Sequence, residues 1–192
     1  MKRALFYVGL MWKPVLLTIL ALAIAIFILT YKLSTLAPGY SPEEVNHYYF
    51  VKDLSNIINK PINAPLNLIQ YGLINFIGNG LIWLRVASAF YTLVAALAFY
   101  SVAVKWYTNR IAFLASTMFI SSTWLLVTGR TGVPSILLCL LGLLIAVYFW
   151  LSDTKKKKTA LLIFTLCIVL LAYIPGGIVF MAAGIAWKGK SL

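Results

Sequence analysis

The sequence predicts an all-α polytopic membrane protein, with about six transmembrane or half-spanning helices and a pair of interfacial helices in its first outer loop. Three observations predict it. Hydrophobic residues make up 62% of the 192-residue chain and charged residues 10%, against about 45–50% and about 25% in soluble domains. The apolar residues come in long runs, as a bilayer requires. Finally, the 16 Lys and Arg residues, set against 4 Asp and Glu, gather at the ends of those runs. The formal charge of +12 therefore reads as a topology signal and not as one basic face, and no nucleic-acid partner is expected.

The first span is 15–30, after Lys2, Arg3 and Lys13, with Trp12 at the interface. No small-residue cleavage site convincingly follows it, so it is expected to be retained. An outer loop, 33–78, comes next. The second span, 80–104, carries Arg85 and ends at "KWYTNR" (Lys105–Arg110). The third is 111–128, "GRTG" (Gly129–Gly132) turns the chain, and the fourth is 133–151. The basic loop "SDTKKKKT" (Ser152–Thr159) leads to a short helical pair, 160–173 and 178–187, on either side of "IPGG". Each member falls short of the roughly 20 residues a span needs, and Pro175 with two glycines breaks the helix. The pair is either a hairpin whose tip stops below the outer surface or one kinked span; Lys188 and Lys190 favour the hairpin.

Orientation follows from the basic residues. Lys2, Arg3, Lys13, Lys105, Arg110, Lys155 to Lys158, Lys188 and Lys190 fall on one side, and Lys32, Lys52, Lys60 and Arg130 on the other. The richer side faces the cytoplasm. Both termini are expected there, with the 33–78 loop on the outer face.

Within that loop, Ser41 suits a helix N-cap, Pro42 the first helical position, and Glu43 and Glu44 the first turn. Tyr48, Val51, Leu54 and Ile58 recur at helical spacing against Asn46, Lys52, Asp53, Asn56 and Asn59. That pattern predicts one amphipathic helix on the membrane surface, ended by "KPINAP". A second starts near Pro65, with Leu66, Ile69, Leu73 and Phe76 against Asn67, Gln70 and Asn75.

Chemistry is expected where the rare charges collect. One acidic residue would satisfy the helix dipole; "SPEEVNHYYF" supplies two, Glu43 and Glu44. A carboxylate there can serve as a general base or hold a metal. His47, the chain's one histidine, lies a turn after Glu43 on the same face. Such a pair can bind a divalent metal, but no third ligand is visible and the metal stays open. Arg85, inside a span, either faces a cavity or partner or snorkels to the outer headgroups. Arg130 lies on the same side. Two arginines near a carboxylate pair would suit a phosphorylated lipid head, since guanidinium meets phosphate bidentately. Lys155 to Lys158 read as a topology signal able to attract anionic lipid. Cys139 and Cys167 sit in apolar runs without metal or disulfide spacing.

These pieces, in this order, resemble the GT-C class of membrane glycosyltransferases, in the branch near the protein mannosyltransferases and aminoarabinose transferases. The likeness is carried by "SPEEVNHYY", "APLNLIQYG", "WLRVASAFYTLVAALAFY", "NRIAFLASTMFISSTWLLVTGRTGVPS" and "YIPGG". It implies a polyprenyl-phosphate-linked sugar as donor and transfer on the outer face. Glu43 or Glu44 would activate the acceptor, with Glu44 slightly preferred. Arg85 and Arg130 would approach the donor phosphate, and His47 and Tyr48 would lie on the substrate side. The family motif often begins with Asp where this chain has Glu. Family enzymes also usually carry several more spans, so the chain is expected to be truncated or to need a membrane partner that supplies them. The alternative is a non-catalytic subunit or scaffold of a larger complex. A small transporter would want charges deep in several spans, and only Arg85 is charged within a span, at shallow depth.

Overall fold

The computed structural model describes residues 23–33, 39–78, 80–175, 177, 179 and 182. Among these the chain is all-helical, with no strand. Residues 23–30 form α1, the only described part of the expected first span. Then come α2 (Pro42–Val51), α3 (Leu54–Asn59), α4 (Ala64–Gly72) and a π-helical turn (Leu73–Ile77). The long α5 (Ile82–Trp106) is followed by α6 (Asn109–Ser121), α7 (Thr123–Arg130), α8 (Ile136–Ser152) and α9 (Lys157–Ala172). The expected 178–187 helix lies almost wholly outside the described residues.

α5 is the axis of the bundle, and α6, α7 and α8 all pack on it. Its small residues Ala87, Ala95 and Ala98 share one buried cluster with Leu137, Leu140, Leu141 and Leu144 of α8, and with Cys167 and Leu171 of α9. Small side chains let two helix backbones approach closely, which is how apolar helices associate where no water drives them together. α5 and α8 run in the same direction. Arg85, near the start of α5, and Gly132, just before α8, meet on one side chain, that of Glu44. Lys105 and Asp153, near their ends, are paired at 3.1 Å. α9 returns, and the Tyr173 carbonyl after it accepts from the Asn63 backbone N–H at 2.7 Å. The α2–α4 helices thus sit over the end of the bundle where α5 starts and α9 finishes.

One helix, α5, is long and apolar enough to cross a bilayer, with a mean hydropathy of 1.8; the α6–α7 pair makes a second if counted as one span. At 1.5 Å per residue α5 is about 37 Å long, whereas α8 is about 26 Å, short of the roughly 30 Å hydrocarbon core.

Two expected helices are broken. The 111–128 span bends by 60° between α6 and α7. Ser122 takes an extended conformation (ψ 134°) there. The break falls in Ser121-Ser122-Thr123, residues whose hydroxyls compete for backbone groups; Ser121 Oγ donates to the Met118 carbonyl at 3.0 Å. The single interfacial helix expected from Ser41 to Ile58 is also two. Asp53, read as one of its polar-face residues, is the N-cap of α3 and accepts from the Ser55 N–H at 3.0 Å. That break shifts the inward face, so Ile57 is buried while Ile58 is 68% exposed.

The bend presses α7 onto α5 at a glycine. A Cβ on Gly129 would stand 2.1 Å from Thr92 Oγ1 and 2.9 Å from Thr92 Cβ. Gly129→Ala is therefore expected to cost about 1–3 kcal/mol by overpacking. Thr92→Gly in the same chain should recover part of it, as thermal unfolding of the purified protein would read. Equal melting temperatures for wild type and Gly129→Ala would contradict this close approach.

Candidate functional site

The first turn of α2 is fixed twice over. Ser41 and Glu44 form a capping box: Ser41 Oγ accepts from the Glu44 N–H at 3.1 Å, and Glu44 Oε2 accepts from the Ser41 N–H at 3.0 Å. The same carboxylate carries the site's main ion pair. Arg85 donates from Nε to Glu44 Oε1 and from Nη2 to Oε2, both at 2.9 Å. The Gly132 N–H adds a bond to Oε1 at 2.8 Å. Both partners are 2% exposed. Arg85 also donates to the Leu33 carbonyl (2.8 Å) and the Gly39 carbonyl (2.7 Å), and its guanidinium lies 4.1 Å from the centre of the Tyr40 ring. Gly39 has φ 97°, a conformation that residues with a Cβ rarely adopt, so glycine is what lets this carbonyl turn toward the arginine.

Of the two readings of Arg85 made from the sequence alone, a partner within the protein describes this place and snorkelling does not. Arg85 does not snorkel, and it does not face outward beside Arg130; four of its five N–H groups are spent on Glu44 and on backbone carbonyls. Glu44, which the resemblance slightly prefers as the acceptor-activating residue, accepts four hydrogen bonds and is buried. Burial alone would raise its pKa; the Arg85 bond, then the N–H groups of Gly132 and Ser41, outweigh that and hold it below the ordinary value. Its chemistry is that of a fixed anion joining α2, α5 and the α7–α8 turn.

A second buried group extends the network. Gln70 of α4 is fully buried and donates from Nε2 to the Leu84 carbonyl (3.3 Å) and the Gly132 carbonyl (3.2 Å). Its Oε1 lies 2.9 Å from His47 Nε2. Gly132 is thus held through its N–H by Glu44 and through its carbonyl by Gln70. A Cβ on Gly132 would stand 2.7 Å from the Leu84 Cβ, so nothing larger fits. The sequence pattern missed both residues: Gln70 reads as a polar-face residue, and Gly132 as a turn. The signal was a pair of amides, Asn67 and Gln70, in an otherwise apolar helix; the face read as polar is the one turned inward.

The remaining site residues fall around this node. Glu43 is exposed and makes no hydrogen bond or ion pair among the described residues. Tyr48 packs on a small core of Val51, Ile57, Ile74 and Leu84. Arg130, at the end of α7, donates from Nη2 to the Tyr31 carbonyl, while its buried Nε has no hydrogen-bond partner. No group of three or more His, Cys, Asp or Glu side chains that could hold a metal ion occurs among the described residues. With Glu44 fully committed, Glu43 and His47 do not make a metal site by themselves.

The node should make stability fall in acid. Burial holds the His47 pKa down, against the opposing Gln70 bond. The unfolded chain therefore takes up that proton first, and stability drops as pH falls below the ordinary 6.5. Glu44, also held down, loses its contribution as pH falls further, below the ordinary 4.5. Melting temperatures across a pH series should fall in these two stages. His47→Gln should remove the upper stage alone; its survival in that variant would contradict the assignment.

The chain matches no family model, no curated protein and no solved structure.

Proposed function

We propose that the chain is a polytopic membrane glycosyltransferase module of the GT-C type, which moves a sugar from a polyprenyl phosphate to an acceptor on the outer face of the membrane. The observation that carries the reading is the division of labour within the acidic pair. Glu44 is saturated and pins the first turn of α2 to α5, so Glu43, one residue earlier, is an open carboxylate on a rigid support. A polar group held by a fixed neighbour is the arrangement that orienting and activating a hydroxyl needs. Glu43 takes the acceptor-activating role, and Glu44 becomes its support.

Arg130 supplies the second element. A buried guanidinium N–H without a partner is costly, and an anionic oxygen is its natural complement. Arg130 is therefore the residue proposed for the donor phosphate, with Arg85 withdrawn from that role. The α6–α7 pair, α8 and α9 complete the membrane bundle around α5, with lipid or a partner's spans against the exposed Leu161, Leu162, Leu166 and Val169 of α9. On this reading both termini are cytoplasmic and the α2–α4 helices lie at the outer surface.

The test is reconstitution in lipid bilayers with polyprenyl-phosphate sugars. The donor should raise the melting temperature of the chain, and Arg130→Gln should weaken that shift about tenfold in donor concentration, the loss of one charge-assisted bond. If no donor of this class produces a shift or a transferred sugar, the chain is better described as a non-catalytic subunit.

A further inference from the structure

Gln70 fixes more than the position of His47. Its Nε2 gives its hydrogens to two backbone carbonyls, those of Leu84 and Gly132. An amide nitrogen cannot be exchanged for the oxygen there, since an oxygen would face two acceptors. Gln70 Oε1 must then be the atom that meets His47, and as an acceptor it requires a hydrogen on His47 Nε2. A neutral imidazole with its hydrogen on Nε2 carries its lone pair on Nδ1. That atom has no partner among the described residues and is not enclosed. The Phe50 ring lies nearly parallel to the imidazole, with ring centres 6.3 Å apart. A backbone-anchored glutamine thus sets both the tautomer and the orientation of the one histidine in the chain.

From this geometry we propose that His47 Nδ1 is the proton acceptor for the incoming hydroxyl, with Gln70 as its positioning residue. This rests on the glycosyltransferase reading. Glu43, one turn earlier on the same helix face, orients the hydroxyl. As the acceptor oxygen bonds to the sugar's anomeric carbon, its proton passes to Nδ1. The bond from that carbon to the phosphate oxygen breaks, and its electron pair leaves on the polyprenyl phosphate. The imidazolium then returns its proton to water. A neutral imidazole suits this step because its free lone pair can accept a proton directly from a hydroxyl.

The neighbourhood favours the neutral form without abolishing basicity. Besides Glu43, α2 brings the phenols of Tyr48 and Tyr49 and also Glu44, which is neutralised by Arg85 of α5. α3 has no ionisable side chain, α4 has only Tyr71, and the 131–135 turn has none. Protonation at Nδ1 leaves the Nε2–H bond to Gln70 intact, so the network stays assembled through a catalytic cycle.

The chain's single histidine makes the test direct. In the ¹⁵N-labelled protein in lipid nanodiscs, long-range ¹⁵N–¹H spectra should show one imidazole, protonated on Nε2 when neutral. Gln70→Leu should return it to a mixture of tautomers. A neutral imidazole protonated on Nδ1 in the wild type would overturn the geometric part. For the catalytic part, His47→Gln keeps an N–H donor toward Gln70 and removes the base. It should lower transfer about 100-fold, leave the donor-induced melting shift unchanged, and abolish the acid limb of the pH–rate profile that follows the His47 titration. A His47→Gln enzyme with an unchanged rate and limb would overturn His47 as base while leaving the glycosyltransferase reading standing. No transfer by the wild type, with the Nε2-protonated tautomer observed, would overturn the catalytic step and the functional reading together, the geometry alone surviving.

Discussion

Arg85→Met is expected to cost about 3–5 kcal/mol of stability, because it leaves the Glu44 carboxylate buried without its counter-ion. The pair is 2% exposed on both sides, so water cannot take the place of the guanidinium. The loss goes beyond the two bonds between the side chains. Arg85 also satisfies the carbonyls of Leu33 and Gly39, and Glu44 satisfies the N–H groups of Gly132 and Ser41. Replacing both residues by apolar ones removes the uncompensated charge but strands these backbone groups. The double variant Glu44→Met/Arg85→Met should therefore be less destabilised than the sum of the single changes, yet clearly weaker than wild type. A double-mutant cycle on thermal unfolding reads the coupling directly. Arg85→Met melting like the wild type would mean that the pair does not hold α2 to α5.

Glu43→Gln is expected to lower sugar transfer by about 10²-fold, the weight of a carboxylate that orients the attacking hydroxyl. Its effect on stability should be small, a few tenths of a kcal/mol from the helix dipole, since Glu43 is exposed and unpaired among the described residues. The neighbouring change Glu44→Gln should do the reverse. It lowers the melting temperature, and activity falls only as far as the folded fraction falls. Initial transfer rates and melting temperatures, measured on both variants in the same bilayers, separate the roles. A Glu43→Gln protein that transfers at the wild-type rate would remove Glu43 from the chemistry and with it the main support for the catalytic reading.

The helix starts and the long helix were legible because they rest on local rules. Ser41, Pro42 and the acidic first turn predict the start of α2, and the capping box is there. The apolar run with Arg85 predicts α5 within two residues at each end. The second interfacial helix was expected from Pro65 and begins at Ala64. What pattern missed was a pair of breaks, at Asp53 and Ser122. Both residues also suit a polar helix face, and only the capping bond or the extended backbone distinguishes the two uses. The tertiary role of Gln70 was not readable from its helix, because its partners at Gly132 and His47 lie 62 and 23 residues away.

By itself the sequence determined the all-helical character of the described residues, the helix carrying Arg85, and the choice of Glu43, Glu44, His47, Tyr48, Arg85 and Arg130 as the polar residues to watch. Composition and short-range periodicity suffice for that. The tertiary structure decided which of them are committed to one another. Adjacent residues on a helix point about 100° apart, so Glu44 turns inward to Arg85 while Glu43 faces out. Where that inward direction leads depends on how α5 and the α7–α8 turn pack beneath α2, over separations of 41 and 88 residues that no local pattern spans.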